Sequence, residues 1–420
     1  MTLGCKVNKY ESDALIENLD LRGYETTDKL ESADIYIVNT CAVTSEAEKK
    51  SRQMLARCRK LNKNARFFIC GCASQKNAEQ FVGKDVEVVC GAAGKMKICE
   101  YIDYLNKNHE KNDKKTIKIE KLPEEYEDDL LAKQSRIRAY IKIQDGCNNF
   151  CTYCIIPYLR GRSRSRGIFS IINEAGRLGN DVKEIVLTGI DVTDYKIDGE
   201  RGLLTLLVEL DKFGKRLRLS SVEDTLVDDS FIQGLKGLDN FCPHFHLSLQ
   251  SGSDSVLKRM NRHYKAEDFE KSVKLIRKYF PDAGITTDVI VGFPDETDEE
   301  FEQTYQFIKK IKFSQLHIFQ YSKRDGTVAA KLYKDLSPLI KQKRAEKLEK
   351  LNQVLKKQFV KHNKRGNVLV EEKIDGYYVG YTQNYIRCYI KSKTDLTNQV
   401  VSVRIGFPFK DGAKARVKKR

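Results

Sequence analysis

No stretch of this 420-residue chain stays apolar over the roughly 20 residues that a membrane-spanning helix needs; the longest runs, such as Ile285 to Phe293, are short. Met1 to Tyr10 carries no apolar leader and reads as the start of a strand, so export is not expected and a cytoplasmic location is. Phosphate-binding signatures are missing as well. Gly91-Ala-Ala-Gly-Lys95 lacks the four-residue gap and the Ser/Thr of a P-loop, and no GxGxxG follows a strand. The six histidines show no metal spacing; His244 and His246 alternate on a strand, at least one of them in a structural role. Long internal repeats and low-complexity tracts are absent too. A disulfide framework is not expected of 12 cysteines in a chain large enough to build its own core and without a secretory signal. Nucleotide hydrolysis by a P-loop and dinucleotide-dependent redox chemistry are thereby set aside.

What is present is a basic, globular composition. The net charge is +16, from 75 Lys+Arg against 59 Asp+Glu, which suits a polyanionic partner, and 40% hydrophobic residues allow two or three domains. Residues 1–105 alternate strand and helix signals, the pattern of an open α/β unit: a strand stub at Thr2–Leu3, an amphipathic helix over Glu11–Leu21, strands at Ile35–Val38 and Phe67–Ile69, and a helix over Ser45–Leu61. Residues 106–134 read as a charged surface linker with one strand at Thr116–Ile119. Residues 135–365 hold six strand-like runs separated by helical ones, Ala139–Ile143, Glu184–Thr188, Leu217–Val222, His244–Leu249, Ile285–Val291 and Leu316–Tyr321, then a long basic helix from 336. This predicts an open (β/α)6 barrel. Residues 366–420 give four short strands, Val368–Glu371, Tyr377–Thr382, Ile386–Ile390 and Gln399–Ile405, and a basic tail from Lys410: a small β-barrel. The fold class is α/β throughout the first two parts.

The sharpest feature is Cys147-Asn-Asn-Phe-Cys151-Thr-Tyr-Cys154, placed directly after the first barrel strand, where barrel active sites lie. A structural zinc site wants four ligands in paired knuckles, and no second CxxC is present. Three thiolates suit a 4Fe-4S cluster with one open iron, which the amine and carboxylate of S-adenosylmethionine can chelate before one electron cleaves the sulfonium to a 5′-deoxyadenosyl radical. Tyr153 just before the last cysteine strengthens the pattern. The stretch resembles the radical S-adenosylmethionine superfamily.

Three further cysteines, Cys5, Cys41 and Cys72, each follow a strand signal. In a parallel sheet such strand ends converge on one crevice, where Gly4 and Gly71 permit close backbone approach. They are either a second thiolate site or three small buried hydrophobes. Cys58, Cys90, Cys99, Cys242 and Cys388 read as the latter, as does Cys70, whose spacing puts its side chain on the same face as that of Cys72.

Nearly the whole chain resembles the methylthiotransferase family: TLGCKVNKYES, VNTCAVTSEAEKKSR and GCASQ at the front, IQDGCNNFCTYCIIPYLRGRSRSR in the middle, and GYTQNYI, similar to a TRAM domain, near the end. The resemblance implies a flavodoxin-like N-terminal domain whose Cys5, Cys41 and Cys72 hold an auxiliary 4Fe-4S cluster carrying a methylated sulfur. It also implies two S-adenosylmethionines per turnover, one giving methyl and one the radical, and an electron donor of flavodoxin or ferredoxin type. Lys6-Val7 after the first cysteine looks like the subgroup that modifies N6-threonylcarbamoyladenosine at tRNA position 37. Isopentenyladenosine enzymes have Gln-Met there, and those acting on a ribosomal protein aspartate have Pro-Lys. No membrane-anchoring tail follows the TRAM-like stretch, as in bacterial members.

Polar and glycine residues at the barrel strand ends are candidates for holding S-adenosylmethionine or, more plainly, loop caps: Gly189, Ser221, Glu223, Gln250 and Asp288. Glu223 and Gln250 have the reach to hydrogen-bond ribose or the amino group. Basic residues gather at Arg160, Arg162, Arg164 and Arg166, along the Lys341–Arg365 helix, and in the tail from Lys410 to Arg420. Tyr377, Tyr378, Tyr381, Tyr385 and Tyr389 interleave with the last group, a pattern suited to phosphates and bases, whereas the helix reads as a solvated face. A tRNA partner follows. The rival of another class is a non-catalytic iron–sulfur RNA-binding protein.

Overall fold

The computed structural model describes residues 1–108, 116–128, 132 and 137–418. Parts of the stretch read as a linker (109–115, 129–131 and 133–134), and Lys419 and Arg420 of the tail, lie outside these residues. Four parallel strands, Ile35–Thr40, Arg66–Gly71, Val86–Cys90 and Thr116–Lys118, form the first sheet in chain order. Thr2 adds a single bridge to Asn39, so the expected first strand is one residue pair. Arg66–Gly71 is buried in five of its six positions, as a central parallel strand covered on both faces must be. The helix expected from Glu11 starts at Lys6, directly after Cys5, and Ser45–Leu61 starts where the Thr44 side chain accepts from the amide of Ala47 at 3.1 Å. Val86–Cys90 was not read from the sequence. Thr116–Lys118, read as a strand within the linker, is a strand and forms this sheet's edge.

The middle of the chain gives six parallel strands whose order in space follows the chain: Arg138–Lys142, Glu184–Thr188, Arg216–Val222, His244–Gln250, Gly284–Val291 and Gln315–Gln320. The third is broken at Ser220. Among the described residues the first and last do not pair, so the barrel is open. Helices such as Ala266–Tyr279 and Asp298–Ile311 cover the outside; the latter opens with a reciprocal cap between Thr297 and Glu300. Pro338–His362, expected as a solvated basic helix, buries Leu348, Leu351 and Leu355 against the last strand, and Asn352 bonds the backbone of Leu316 in both directions.

The C-terminal part is a closed five-stranded barrel of Arg365–Ile374, Tyr377–Thr382, Arg387–Ile390, Gly412–Val417 and Val400–Phe409. What read as a basic tail therefore contains the strand that closes it. Ala413 and Ala415 point inward while Lys414 and Arg416 alternate outward, and charges on alternate residues masked a period of two. Among the described residues no helix is long and apolar enough to cross a membrane.

Candidate active site

Cys5, Cys41 and Cys72 come together from three loops of the first sheet. Gly4 sits at φ +98°, and a Cβ there would lie 2.5 Å from the Cys41 sulfur. Gly71, at φ +108°, leaves no room for a Cβ beside the carbonyl of Thr40. The Asn8 amide ties these loops together by donating to the carbonyls of Leu3, at 2.9 Å, and Thr40, at 3.0 Å. The three thiols lie close enough to act electrostatically on one another. Cys70 faces the other way, packed with Cys90, Cys99 and Leu15, because Cys72 begins a helix and the strand alternation stops at Gly71. Cys58, Cys90, Cys99, Cys242 and Cys388 are buried, as small hydrophobes are.

Cys147, Cys151 and Cys154 occupy the loop after the Arg138–Lys142 strand, with Cys151 buried and the other two half-buried. The loop is clamped from several sides. Thr152 bonds the Arg259 carbonyl at 2.7 Å, Asn261 donates to the Asn149 carbonyl at 3.1 Å, and the Asn149 amide reaches Asp191 at 3.0 Å. Arg262 donates to the Cys151 sulfur at 3.4 Å and pairs with Glu223. Burial pushes the Cys147 and Cys154 thiols up to about 12 and Cys41 to about 11. Each is a neutral thiol at pH 7 until a metal displaces its proton. Among the described residues no three Cys, His, Asp or Glu side chains gather as a single-ion site. A cluster distributes its thiolates over several irons and needs a wider spacing. Two sets of three thiols fit that donor requirement.

The two sets are linked by Arg160, at the end of a short helix just after Cys154. Its guanidinium is buried and donates to the Cys72 sulfur at 3.3 Å, to Glu11 at 2.8 Å, to Asp145 at 3.1 Å and to Asn8 at 2.7 Å. Lys142 joins Glu11 at 3.0 Å, and Lys95, from the false P-loop, also pairs with Glu11. Arg160, Arg164 and Arg166, which read as a phosphate-tracking run, are thus structural. Arg166 is buried against Glu174, Tyr10 and Asp128. Exposed Arg162 lies over the Phe150 ring. The sequence carried no sign of this, because the acids that pair with the run come from residues far away in the chain.

A cavity of about 620 Å³ lies inside the open barrel. Cys5 and Lys6 close one side of it, the strand ends Gly189, Ser221 and Asp288 line it, and Tyr385 of the C-terminal barrel enters from above. Glu223 and Gln250 are not among its lining residues. Glu223 is held by Arg262, and Gln250 is buried at φ +64° at the end of its strand. The sequence missed the histidines as lining residues. His244 stacks on Tyr385 at 4.5 Å, His246 shares the Thr286 hydroxyl with it at 2.8 Å and faces Asp288 at 3.3 Å, and His317 lies 5.3 Å from His246, ring to ring. Burial drives His244 well below its ordinary range, so it is neutral. Their spacing by two on one strand was the available signal.

At the junction of the two barrels, fully buried Glu184 accepts from Arg218 at 2.9 and 3.1 Å and faces Arg138 at 2.7 Å. Burial alone would raise its carboxyl, but the two arginines outweigh that and hold it at about 2. Its folded-state value is therefore depressed, and the stability it contributes is present above about pH 4.5 and lost as pH falls towards 2. Glu184→Gln is expected to lower stability by about 3 kcal/mol at pH 7, with the gap to wild type closing in acid. Urea midpoints at several pH values check this, and an unchanged midpoint at neutral pH would contradict it.

Comparison with known proteins agrees with this geometry. Residues 141–308 match the radical SAM superfamily and residues 1–91 match uncharacterized protein family UPF0004. The threonylcarbamoyladenosine tRNA methylthiotransferase MtaB of Bacillus subtilis is 40% identical, covering 99% of this chain and 96% of its own. The protein of the same name from Thermotoga maritima is 38% identical over 92% of this chain and 89% of its own. A tRNA-2-methylthio-N(6)-dimethylallyladenosine synthase of Dictyoglomus thermophilum is 36% identical over 96% of this chain and 94% of its own. Among solved structures, the radical S-adenosylmethionine methyltransferase TsrM of Kitasatospora setae shares the fold, with TM-score 0.56 at 14% identity over 76% of this chain and 71% of its own.

Proposed function

Because the chain belongs to the radical S-adenosylmethionine methylthiotransferases, we propose that it transfers a methylthio group to C2 of N6-threonylcarbamoyladenosine at position 37 of tRNA. In this reading Cys147, Cys151 and Cys154 hold the radical-generating 4Fe-4S cluster and Cys5, Cys41 and Cys72 a second one. Residues 1–105 serve as the sulfur-delivering unit, 135–365 as the radical core and 366–420 as the RNA-binding unit, all in the cytoplasm. A flavodoxin- or ferredoxin-type protein reduces the enzyme, and two S-adenosylmethionines are consumed per turnover. When bound, these groups supply the electron, the carbon radical, the sulfur and the methyl that the polypeptide lacks.

The observation that carries the reading is that one chamber has Cys5 on one wall and the barrel strand ends on the other, while Arg160 fastens Cys72 to the loop of the other three cysteines. An unreactive aromatic C–H and a separately held sulfur have to meet, and a single open-mouthed chamber allows it. The chain's own part is positional. Arg262, oriented by Glu223, braces Cys151; Asp191 holds Asn149 of the same loop; Tyr385 stacked on His244 roofs the chamber against water. The test is mass spectrometry of tRNA nucleosides from a strain lacking the gene. The methylthio form of threonylcarbamoyladenosine should vanish while its precursor accumulates. Unchanged levels, with loss of methylthio-isopentenyladenosine or of a modified ribosomal aspartate instead, would overturn the assignment.

The C-terminal barrel offers an aromatic and basic face for the tRNA: Phe407 is 61% exposed, Lys414 lies over Phe407 and Phe409, and Lys391 over Tyr377. Replacing Lys391 and Lys414 by glutamate is expected to weaken tRNA binding about tenfold or more and to lower the salt slope by about two. Filter binding across a salt series reads both, and an unchanged slope would remove this face from the interface.

A further inference from the structure

The chamber wall beside Cys5 is cationic and polar. Lys6, Arg138 and Arg218 line it, and among the described lining residues Asp288 is the single acid, already facing His246. Arg218 is committed to Glu184 and to the carbonyls of Gln383 and Thr382, and Arg138 to Glu184 and Glu371. Lys6 has no carboxylate within ion-pair distance among the described residues, although Glu184 and Asp288 are the acids nearest in effect. On the same wall the Ser220 hydroxyl, on a residue only 7% exposed, and Nδ1 of His244, on a residue only 6% exposed, have no hydrogen-bond partner. Buried polar groups left unpaired in a cavity ask for a polar ligand.

We propose that Lys6, with Arg138 behind it, binds the carboxylate of the threonyl group on the substrate base, and that the Ser220 hydroxyl and His244 pair with its remaining polar atoms. The inference rests on the function proposed above and names the part of the site that reads the side group. The chemistry of that substrate requires such a place. The threonylcarbamoyl group hangs from the amine on C6, and C2, the carbon to be modified, is separated from C6 by one ring nitrogen. A base that presents C2 towards the Cys5 side therefore brings its side group into the same chamber. A dimethylallyl group would leave Lys6, Ser220 and His244 unpaired, so the wall selects against apolar side groups as well as for the anionic one. The carboxylate of S-adenosylmethionine and a tRNA phosphate are the other anions that Lys6 could meet, and the experiment separates them.

The holoenzyme is assayed on anticodon stem-loop RNAs carrying threonylcarbamoyladenosine, its carboxyl methyl ester, or dimethylallyladenosine, as wild type, Lys6→Met and Lys6→Arg, with iron per chain measured for each. Wild type is expected to prefer the acid over the ester by roughly 10- to 100-fold in kcat/KM, mostly through KM, the range of a charge-assisted hydrogen bond. Lys6→Met should abolish that preference and Lys6→Arg restore most of it, all at equal iron content. Equal turnover of acid and ester by wild type, or full preference retained in Lys6→Met, overturns the inference while leaving the proposed substrate intact. A Lys6→Met defect seen in the KM for S-adenosylmethionine assigns Lys6 to that carboxylate and also overturns it. Turnover of dimethylallyl RNA with none of the threonylcarbamoyl RNA overturns the proposed substrate itself.

Discussion

Replacing Cys151 by alanine is expected to stop cleavage of S-adenosylmethionine altogether and to lower iron from about eight per reconstituted chain to about four, whereas Cys72→Ala is expected to give the same iron loss but to keep 5′-deoxyadenosine production. The asymmetry follows from the division of labour between the two thiol sets. Cys151 lies in the loop after the first barrel strand, held by Arg262 and Thr152, where the radical has to be generated. Cys72 lies at the head of a helix in the N-terminal unit, which the proposed function makes the sulfur-delivering side. Methylthiolation should fall by more than about 10⁴-fold in both, because no other group in the chain can supply either half of the chemistry. Iron analysis, 5′-deoxyadenosine by chromatography and nucleoside mass spectrometry together read the result. Four irons in wild type, or methylthiolation surviving Cys72→Ala, would remove the second cluster.

The second large effect is expected at Arg160. Arg160→Met should cost about 3–5 kcal/mol, because it strands Glu11 and Asp145 in the interior without their guanidinium. Both carboxyls lie below the ordinary carboxylate range: burial would raise them, but Arg160 with Lys95 and Lys142 outweighs it at Glu11, and Arg160 with Lys142 at Asp145. The loss should be felt as separation of the N-terminal unit from the barrel, since Asn8, Glu11 and Cys72 are on one side and Asp145 on the other. Urea unfolding should show a lower midpoint, and limited proteolysis should free the N-terminal unit. Arg160→Lys, which keeps charge but not the fork, should recover only part of the stability. A midpoint within about 1 kcal/mol of wild type would show that the hub is dispensable.

Local pattern was enough for much of this molecule. The parallel strands show as runs such as Glu184-Ile-Val-Leu-Thr188, buried at every position and unbroken by turn residues. The CxxxCxxC spacing and its place after the first barrel strand are likewise local. Failures came where a local signal had a remote cause. Alternating charges hid the Gly412–Val417 strand, because only the opposite strands Val400–Phe409 and Arg387–Ile390 give it partners. The arginine run after Cys154 has the local look of a phosphate-binding surface, and its partners Glu11, Glu174 and Asp128 come from elsewhere in the chain. Glu223, a candidate cofactor contact, keeps an ion pair with Arg262 beside the Cys151 loop, a partner that local sequence did not reveal.

The amino-acid sequence by itself determined one close set of three thiols at Cys147, Cys151 and Cys154, a run of parallel strands to hold it, and an excess of positive charge for a nucleic-acid partner, because ligand spacing and hydrophobic periodicity are properties of neighbouring residues. Tertiary structure alone decided that Cys5 opens into the barrel chamber, that Arg160 joins the two thiol sets, and that Lys6, Ser220 and His244 share one wall. The physical reason is that these groups come from distant parts of the chain, Cys72 and Arg160 being 88 positions apart, and their cost and benefit arise only when water is excluded from between them.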